Sequence, residues 1–311
     1  MNMRLVGDIG GTNARFALCE RGGLPQDERK LSVRDFPGLV EAALAYLAGR
    51  SVDEAVFAVA TPVLGDVVAF TNSPWRFTVP EAREQLGLRH LAVINDFVAQ
   101  AWAVHGLKRG DFRSLRPGLV GKPGRPQVVI GPGTGLGVAF LLGEGETARV
   151  LPSEAGHSSF SPQDERQAEV LARLRREFGH VSTERLLSGP GLLRLANVLA
   201  EIEGRKERFG SPLEVSERAA GDCAPCLEAV RMFSAILGAT AGNLALTLLA
   251  DGGVHITGGL CRNLGPLLNV DAVVRGFTEK GRFARYLDTV PVDQVMRPHI
   301  GLLGAALHLA D

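Results

Sequence analysis

Apolar runs interrupted by glycine-rich turns occur twice in this chain in the same form. Residues 4–18 read as a strand, the turn Gly10-Gly11-Thr12 and a second strand; residues 128–142 repeat the device around Gly133-Thr134-Gly135. Short β-rich runs flanking glycine mark a hairpin. Glycine allows positive φ and lets main-chain amides approach an oxyanion with no Cβ in the way. Two such turns could hold phosphates from opposite sides, which suits a nucleotide caught between two similar domains and points toward phosphoryl transfer.

The remaining pattern alternates. Strands are expected at 55–60, 67–71 and 90–94, and helices near 37–48, 80–86 and 97–104, giving a mixed α/β first lobe. Residues 109–126, rich in Gly, Pro and Arg, read as a surface connection. From Gln127 the strand and turn pattern restarts, and helical stretches over 163–178, 189–202 and 223–249 give the second lobe large helical insertions. Residues 254–260 form a short strand running into another glycine turn, and 300–309 read as a closing helix whose small residues permit tight packing.

Length then fixes the scale. With 311 residues, 45% hydrophobic and 22% charged, the chain can bury two cores, and the expected domains are 1–108 plus 297–311 and 109–296. Its formal net charge of zero gives no electrostatic footprint for nucleic acid or an anionic membrane, and Arg173, Arg175 and Arg176 alternate with Glu169 and Glu177 as a solvated helix face. A strand begins within three residues of the N-terminus, and no apolar stretch reads as long enough to span a bilayer, so a cytoplasmic location is expected. Cys223 and Cys226 have redox or zinc spacing but lack a second ligand pair; together with Cys19 and Cys261 they read as structural thiols, and no structural zinc is expected.

Two other glycine motifs fail on context. Gly121-Lys122 runs into Pro123 and lacks the earlier glycine of a P-loop. Gly133, Gly135 and Gly137, with Glu154 beyond, imitate a dinucleotide fingerprint, but the run enters a strand at 138–142 and not a helix.

Candidate chemistry gathers at three places. Asn95-Asp96 closes the apolar run 91–94 just before a helix, where the dipole and free N–H groups favour a carboxylate; from spacing alone Asp96 is equally a helix cap or a base for a sugar hydroxyl. Glu154 and His157 sit in a loop where both can converge on adjacent hydroxyls, with a metal pair or ordinary loop polarity as the alternatives. Glu184 lies in the first turn of a helix, a position that also suits a dipole-stabilising residue. Arg15 reads either as a phosphate ligand or as an ion-pair partner.

Taken in order, residues 8–15, 94–97, 131–137, 257–260 and 301–309 resemble the phosphate-1, first connecting, phosphate-2, adenosine and second connecting segments of the sugar kinase, Hsp70 and actin superfamily. Within it the chain is similar to the bacterial glucokinase family of the cytoplasmic, non-zinc type. The strings that carry this are residues 7–15 (GDIGGTNAR), 94–97 (INDF), 133–137 (GTGLG), 154–157 (EAGH), 187–191 (LSGPG) and 281–283 (GRF), and the resemblance spans nearly the whole chain. It implies an α/β, two-lobed, actin-like ATPase fold of duplicated ribonuclease H-like domains, with the active site in the interdomain cleft. The activity it implies is ATP-dependent phosphorylation of glucose at O6, the first step of glycolysis. A kinase for another hexose, or a sugar-binding regulator or ATPase of the same superfamily, is the alternative.

The resemblance also assigns residues. Asp96 is the base, and Asn95, Asp96, Glu154, His157, Glu184 and Gly135 bind the sugar. Asp8, Gly10, Gly11, Thr12, Asn13, Gly133, Thr134, Gly258 and Gly259 bind ATP, with Asp8 also holding Mg²⁺ through water. Glucose and ATP are the expected partners, in a homodimer that engages neither nucleic acid nor membrane. One departure stands out: the family has glycines where this chain has Ser153 and Ala155, which limits backbone freedom in the sugar loop.

Overall fold

The structure, a computed structural model, describes residues 3–70 and 73–308. Thr71 and Leu309, at the ends of two expected elements, lie outside the described residues. In chain order the elements are β1 (Met3–Ile9), β2 (Asn13–Glu20), β3 (Gln26–Ser32), α1 (Leu39–Leu47), β4 (Glu54–Val59), β5 (Val67–Ala69), β6 (Arg76–Thr78), α2 (Val79–Gln85), β7 (His90–Asn95) and α3 (Asp96–Gly106). There follow β8 (Phe112–Ser114), β9 (Gln127–Pro132), β10 (Leu136–Leu142), β11 (Arg149–Ser153), α4 (Glu165–Phe178), α5 (Gly189–Ile202), α6 (Pro212–Ala220) and α7 (Ala224–Leu248). The chain closes with β12 (Gly253–Ile256), α8 (Gly259–Leu264), α9 (Val270–Thr278), α10 (Ala284–Leu287), β13 (Val292–Val295) and α11 (Ile300–Leu307).

These elements form two compact units, 1–108 with 297–311 and 109–296. The first carries a sheet in the order β3-β2-β1-β4-β7, the second a sheet in the order β11-β10-β9-β12-β13-β8. In both, three antiparallel strands are followed by two parallel ones. The hairpin repeat in the sequence is therefore the visible trace of a repeated sheet.

Alternation along β1 places its side chains on two faces. Leu5 and Ile9 pack with Ala43 and Tyr46 of α1, whereas Val6 faces Leu302, Ala305 and Ala306 of α11. In the second unit Val128, Ile130, Val254 and Ile256 pack against Phe233, Ile236 and Leu237 of α7. Contrary to the sequence expectation, the 25-residue α7 is long and apolar enough to cross a membrane by length and composition. Here it packs against α5, α6 and α9 and is mostly buried, so its hydrophobicity is that of a core helix.

The stretch 109–126 is not wholly a surface connection. β8 pairs antiparallel with β13, and Lys122 Nζ and Arg125 Nε each lie 2.8 Å from the buried Asp251 carboxylate. On α4, Arg173 pairs with Glu169 and Glu201, the solvated face expected from its charges. The cysteines are free, and Cys226 lies in the core at the start of α7, where burial pushes its thiol up to about 12.

Candidate active site

In the first unit β1, β4 and β7 run parallel, so Ile9, Val59 and Asn95 align at one edge of the sheet. The turn 10–12 and the start of α3 consequently leave the same edge, two strand spacings or about 10 Å apart. Within the turn the Gly10 N–H donates to Asn13 O (2.9 Å), closing the hairpin, while the amides of Gly11 and Thr12 make no hydrogen bond among the described residues. Gly10, Gly133 and Gly135 do not adopt positive φ, which corrects one reason given for glycine at these turns. Of the three, Gly135 is the one whose missing Cβ is needed, since a Cβ there would stand 2.5 Å from Glu184 Oε2.

Asp8 lies on β1 just before the turn. Its carboxylate accepts no hydrogen bond and makes no ion pair among the described residues; burial pushes its pKa up, Arg15 pulls it down and Glu28 pushes it up again. Arg15 itself sits 3.9 Å from Glu28, the ion-pair alternative. Gly301, in the first turn of α11, abuts Asp8 so closely that a Cβ there would stand 2.7 Å from Cγ and 2.8 Å from Oδ2. A desolvated carboxylate with no ion pair among the described residues, beside bare amides, is the donor set that a hydrated Mg²⁺ on a phosphate uses, so the residues fit the ion.

Asn95 caps α3. Its Oδ1 accepts from Phe97 N–H (2.9 Å) and its Nδ2 donates to Thr61 O (3.4 Å), which fixes the side chain from both ends. Asp96 is the first residue of the helix, half-buried, with Oδ1 3.0 Å from the Phe97 N–H. Cap and carboxylate are thus separate residues: Asn95 does the capping that sequence alone left open for Asp96.

The second unit gathers the other residues at one sheet edge. The Gly133 N–H donates to Gly135 O (2.8 Å), and the amides of Thr134 and Gly135 make no hydrogen bond among the described residues. Gly258, at φ 85°, lies against Pro132 O, so the turn after β12 adjoins the turn after β9. Thr257 Oγ1, next to it, is buried with no partner among the described residues.

Glu154, His157 and Glu184 converge as a set. His157 Nε2 is 3.7 Å from Glu154 Oε2, and His157 Nδ1 is 3.9 Å from Glu184 Oε1. The loop that carries Glu154 and His157 is a short helical turn at 155–157, with Ser153 Oγ accepting from Ala155 N–H (3.1 Å). Ser153 therefore supplies a hydrogen bond that holds the loop. Glu184 lies in another such turn, 183–185, and its Oε2 accepts from Leu136 N–H at 2.9 Å. Sequence reasoning quoted Ser188 within the 187–191 string and Leu136 within 133–137 but gave neither a structural role. Ser188 Oγ caps α5 through Gly191 N–H (3.0 Å) and donates to Glu184 O (2.9 Å). Ser-Gly-Pro before a helix was the available signal.

The duplicated sheet, with a glycine-threonine hairpin in each copy, defines the actin-like fold of the sugar kinase, Hsp70 and actin superfamily. A family model described as Glucokinase matches residues 5–311. The chain is 41% identical over 309 residues to a glucokinase of Klebsiella pneumoniae subsp. pneumoniae, across 98% of this chain and 96% of that one. It is 43% identical over 312 residues to a glucokinase of Chromobacterium violaceum, across 99% and 89%. The crystal structure of a glucokinase from an Antarctic psychrotroph superposes with a TM-score of 0.88 at 34% identity, covering 99% of this chain and 98% of that one. A ROK family glucokinase from Streptomyces griseus in complex with glucose and AMPPNP shares the fold, with a TM-score of 0.63 at 20% identity over 98% of each chain. This chain belongs to the glucokinase family.

Proposed function

We propose that this protein transfers the γ-phosphoryl group of ATP to O6 of glucose in the cytoplasm, forming glucose 6-phosphate and ADP at the entry to glycolysis. The observation that carries the reading is the convergence of Glu154, His157 and Glu184 on one edge of the second unit, beside a turn with unpartnered amides. Carboxylates and an imidazole match the donor and acceptor hydroxyls of a pyranose, and bare amides match phosphate oxygens.

In this mechanism Asp96 takes the proton from the O6 hydroxyl as that oxygen attacks the γ-phosphorus and the bond to the ADP oxygen breaks. Asn95, held at both ends of its amide, Glu154, His157, Glu184 and the close backbone at Gly135 orient the ring. Gly10, Gly11, Thr12, Asn13, Gly133 and Thr134 meet the phosphates; Gly258 and Gly259 meet the adenosine. Where Gly10 and Gly133 use their own N–H to close the turn, the neighbouring amides of Gly11, Thr12, Thr134 and Gly135 do the binding. Mg²⁺, held by Asp8 through water, supplies charge neutralisation on the phosphates when bound. A homodimer is the assembly the family resemblance suggests, and sedimentation of the purified protein tests it.

A coupled assay over a panel of hexoses, with ATP and polyphosphate as donors, tests the function. Glucose with ATP is expected to give the highest kcat/KM. Equal rates without sugar, or preference for another hexose or for polyphosphate, would contradict the reading.

A further inference from the structure

We propose that Glu184 is the link by which an occupied sugar site tightens nucleotide binding, an inference that rests on the kinase reading and extends it to the order and coupling of the two ligands. The two oxygens of this carboxylate point to different tasks. Oε1 faces His157 Nδ1 at 3.9 Å, among the groups that take the sugar. Oε2 accepts the Leu136 N–H at 2.9 Å, and Leu136 is the residue that follows the phosphate-binding turn.

The surroundings bind that turn to the sugar segment at further points. Gly189 N–H donates to Gly133 O (2.8 Å), and Ser188 Oγ, one residue earlier, holds the Glu184 carbonyl at 2.9 Å. Gly156 of the sugar loop lies against Leu136 O, so Leu136 is gripped at its amide by Glu184 and approached at its carbonyl by the loop that carries Glu154 and His157. A Cβ on Gly135 would stand 2.5 Å from Glu184 Oε2, so the turn leaves no slack beside the carboxylate. The Glu184 side chain is 30% exposed, so it remains accessible to a ligand. A sugar hydroxyl that immobilises Oε1 also fixes Oε2, and with it the turn whose free amides bind phosphate. The nucleotide then meets an already ordered turn and loses less entropy on binding. Glu184 acts here as a positioning residue for the phosphate turn in addition to its contact with sugar.

Calorimetric titration of the full chain with AMPPNP and Mg²⁺, with and without saturating glucose, reads the coupling directly. Wild type is expected to bind the nucleotide about tenfold more tightly with glucose present, within the usual range for coupled sites. Glu184→Gln keeps a carbonyl acceptor for Leu136 N–H, so it should weaken glucose binding while retaining most of that ratio. Glu184→Asp keeps the charge but is one methylene too short to serve both partners, and Gly135→Ala displaces Oε2 while leaving the carboxylate intact. Both should bring the ratio close to one with little change in melting temperature. Because the readout is a ratio within each variant, a direct loss of nucleotide affinity in Gly135→Ala cancels. An unchanged ratio in Glu184→Asp and Gly135→Ala, or independent binding of both ligands to wild type, overturns the proposal. Failure of wild type to bind either ligand overturns the kinase reading itself.

Discussion

Asp8, the residue proposed to hold Mg²⁺, is kept in place at a cost to the fold. Its carboxyl is pushed above its ordinary value by burial, so the folded protein takes up a proton there more readily than the unfolded chain does. Below the ordinary carboxylate range both states are protonated and the residue is neutral to stability. As pH rises through that range the unfolded chain ionises first, and the folded state carries a penalty that is complete above the raised value. Asp8→Asn is therefore expected to raise the melting temperature of the ligand-free protein at pH 7, to leave it unchanged near pH 3, and to abolish turnover. A lower melting temperature at pH 7 would contradict this. Gly301→Ala makes the complementary case. Alanine favours a helix over glycine by about 1 kcal/mol, yet its Cβ would press on the Asp8 carboxylate. We expect kcat with MgATP to fall at least about tenfold with glucose binding unchanged, measured by steady-state kinetics and titration; wild-type kcat would contradict the positioning of Asp8 by α11.

Helix caps and strand ends do the placing at the next scale up. The Asn95 cap of α3 fixes where Asp96 emerges, and the Ser188 cap of α5 also holds the Glu184 carbonyl. Ser188→Ala should destabilise the fold by about 1 kcal/mol and raise the KM for glucose, measured by urea unfolding and kinetics. A loss of stability with an unchanged KM would confine the serine to capping. Elements with strong local patterns were legible in the sequence: both hairpins, the span of α5 at 189–202, and the Asn-Asp strand end. β8, β11 and β13 were not, because short strands of mixed polarity acquire their pairing from neighbours distant in the chain. The membrane-like composition of α7 was missed for the opposite reason. Its Gly, Ala and Thr residues dilute the apolar run that the eye looks for, while the tertiary structure buries it.

At the scale of the whole molecule, the repeated sheet was readable because its glycine-threonine turns recur, whereas the separate tasks of the Glu184 oxygens were not. That division depends on a contact 48 residues apart, and nothing local at Glu184 announces it. The proposed chemistry depends on an acid at the start of α3, Asp96, deprotonating a sugar hydroxyl for transfer of phosphate from ATP. The most direct test is Asp96→Asn, assayed by hexose-dependent ADP release alongside calorimetric binding of glucose. The predicted result is a rate at least about a hundredfold below wild type, with glucose still bound. A variant that binds glucose and retains more than about a hundredth of the rate would contradict it.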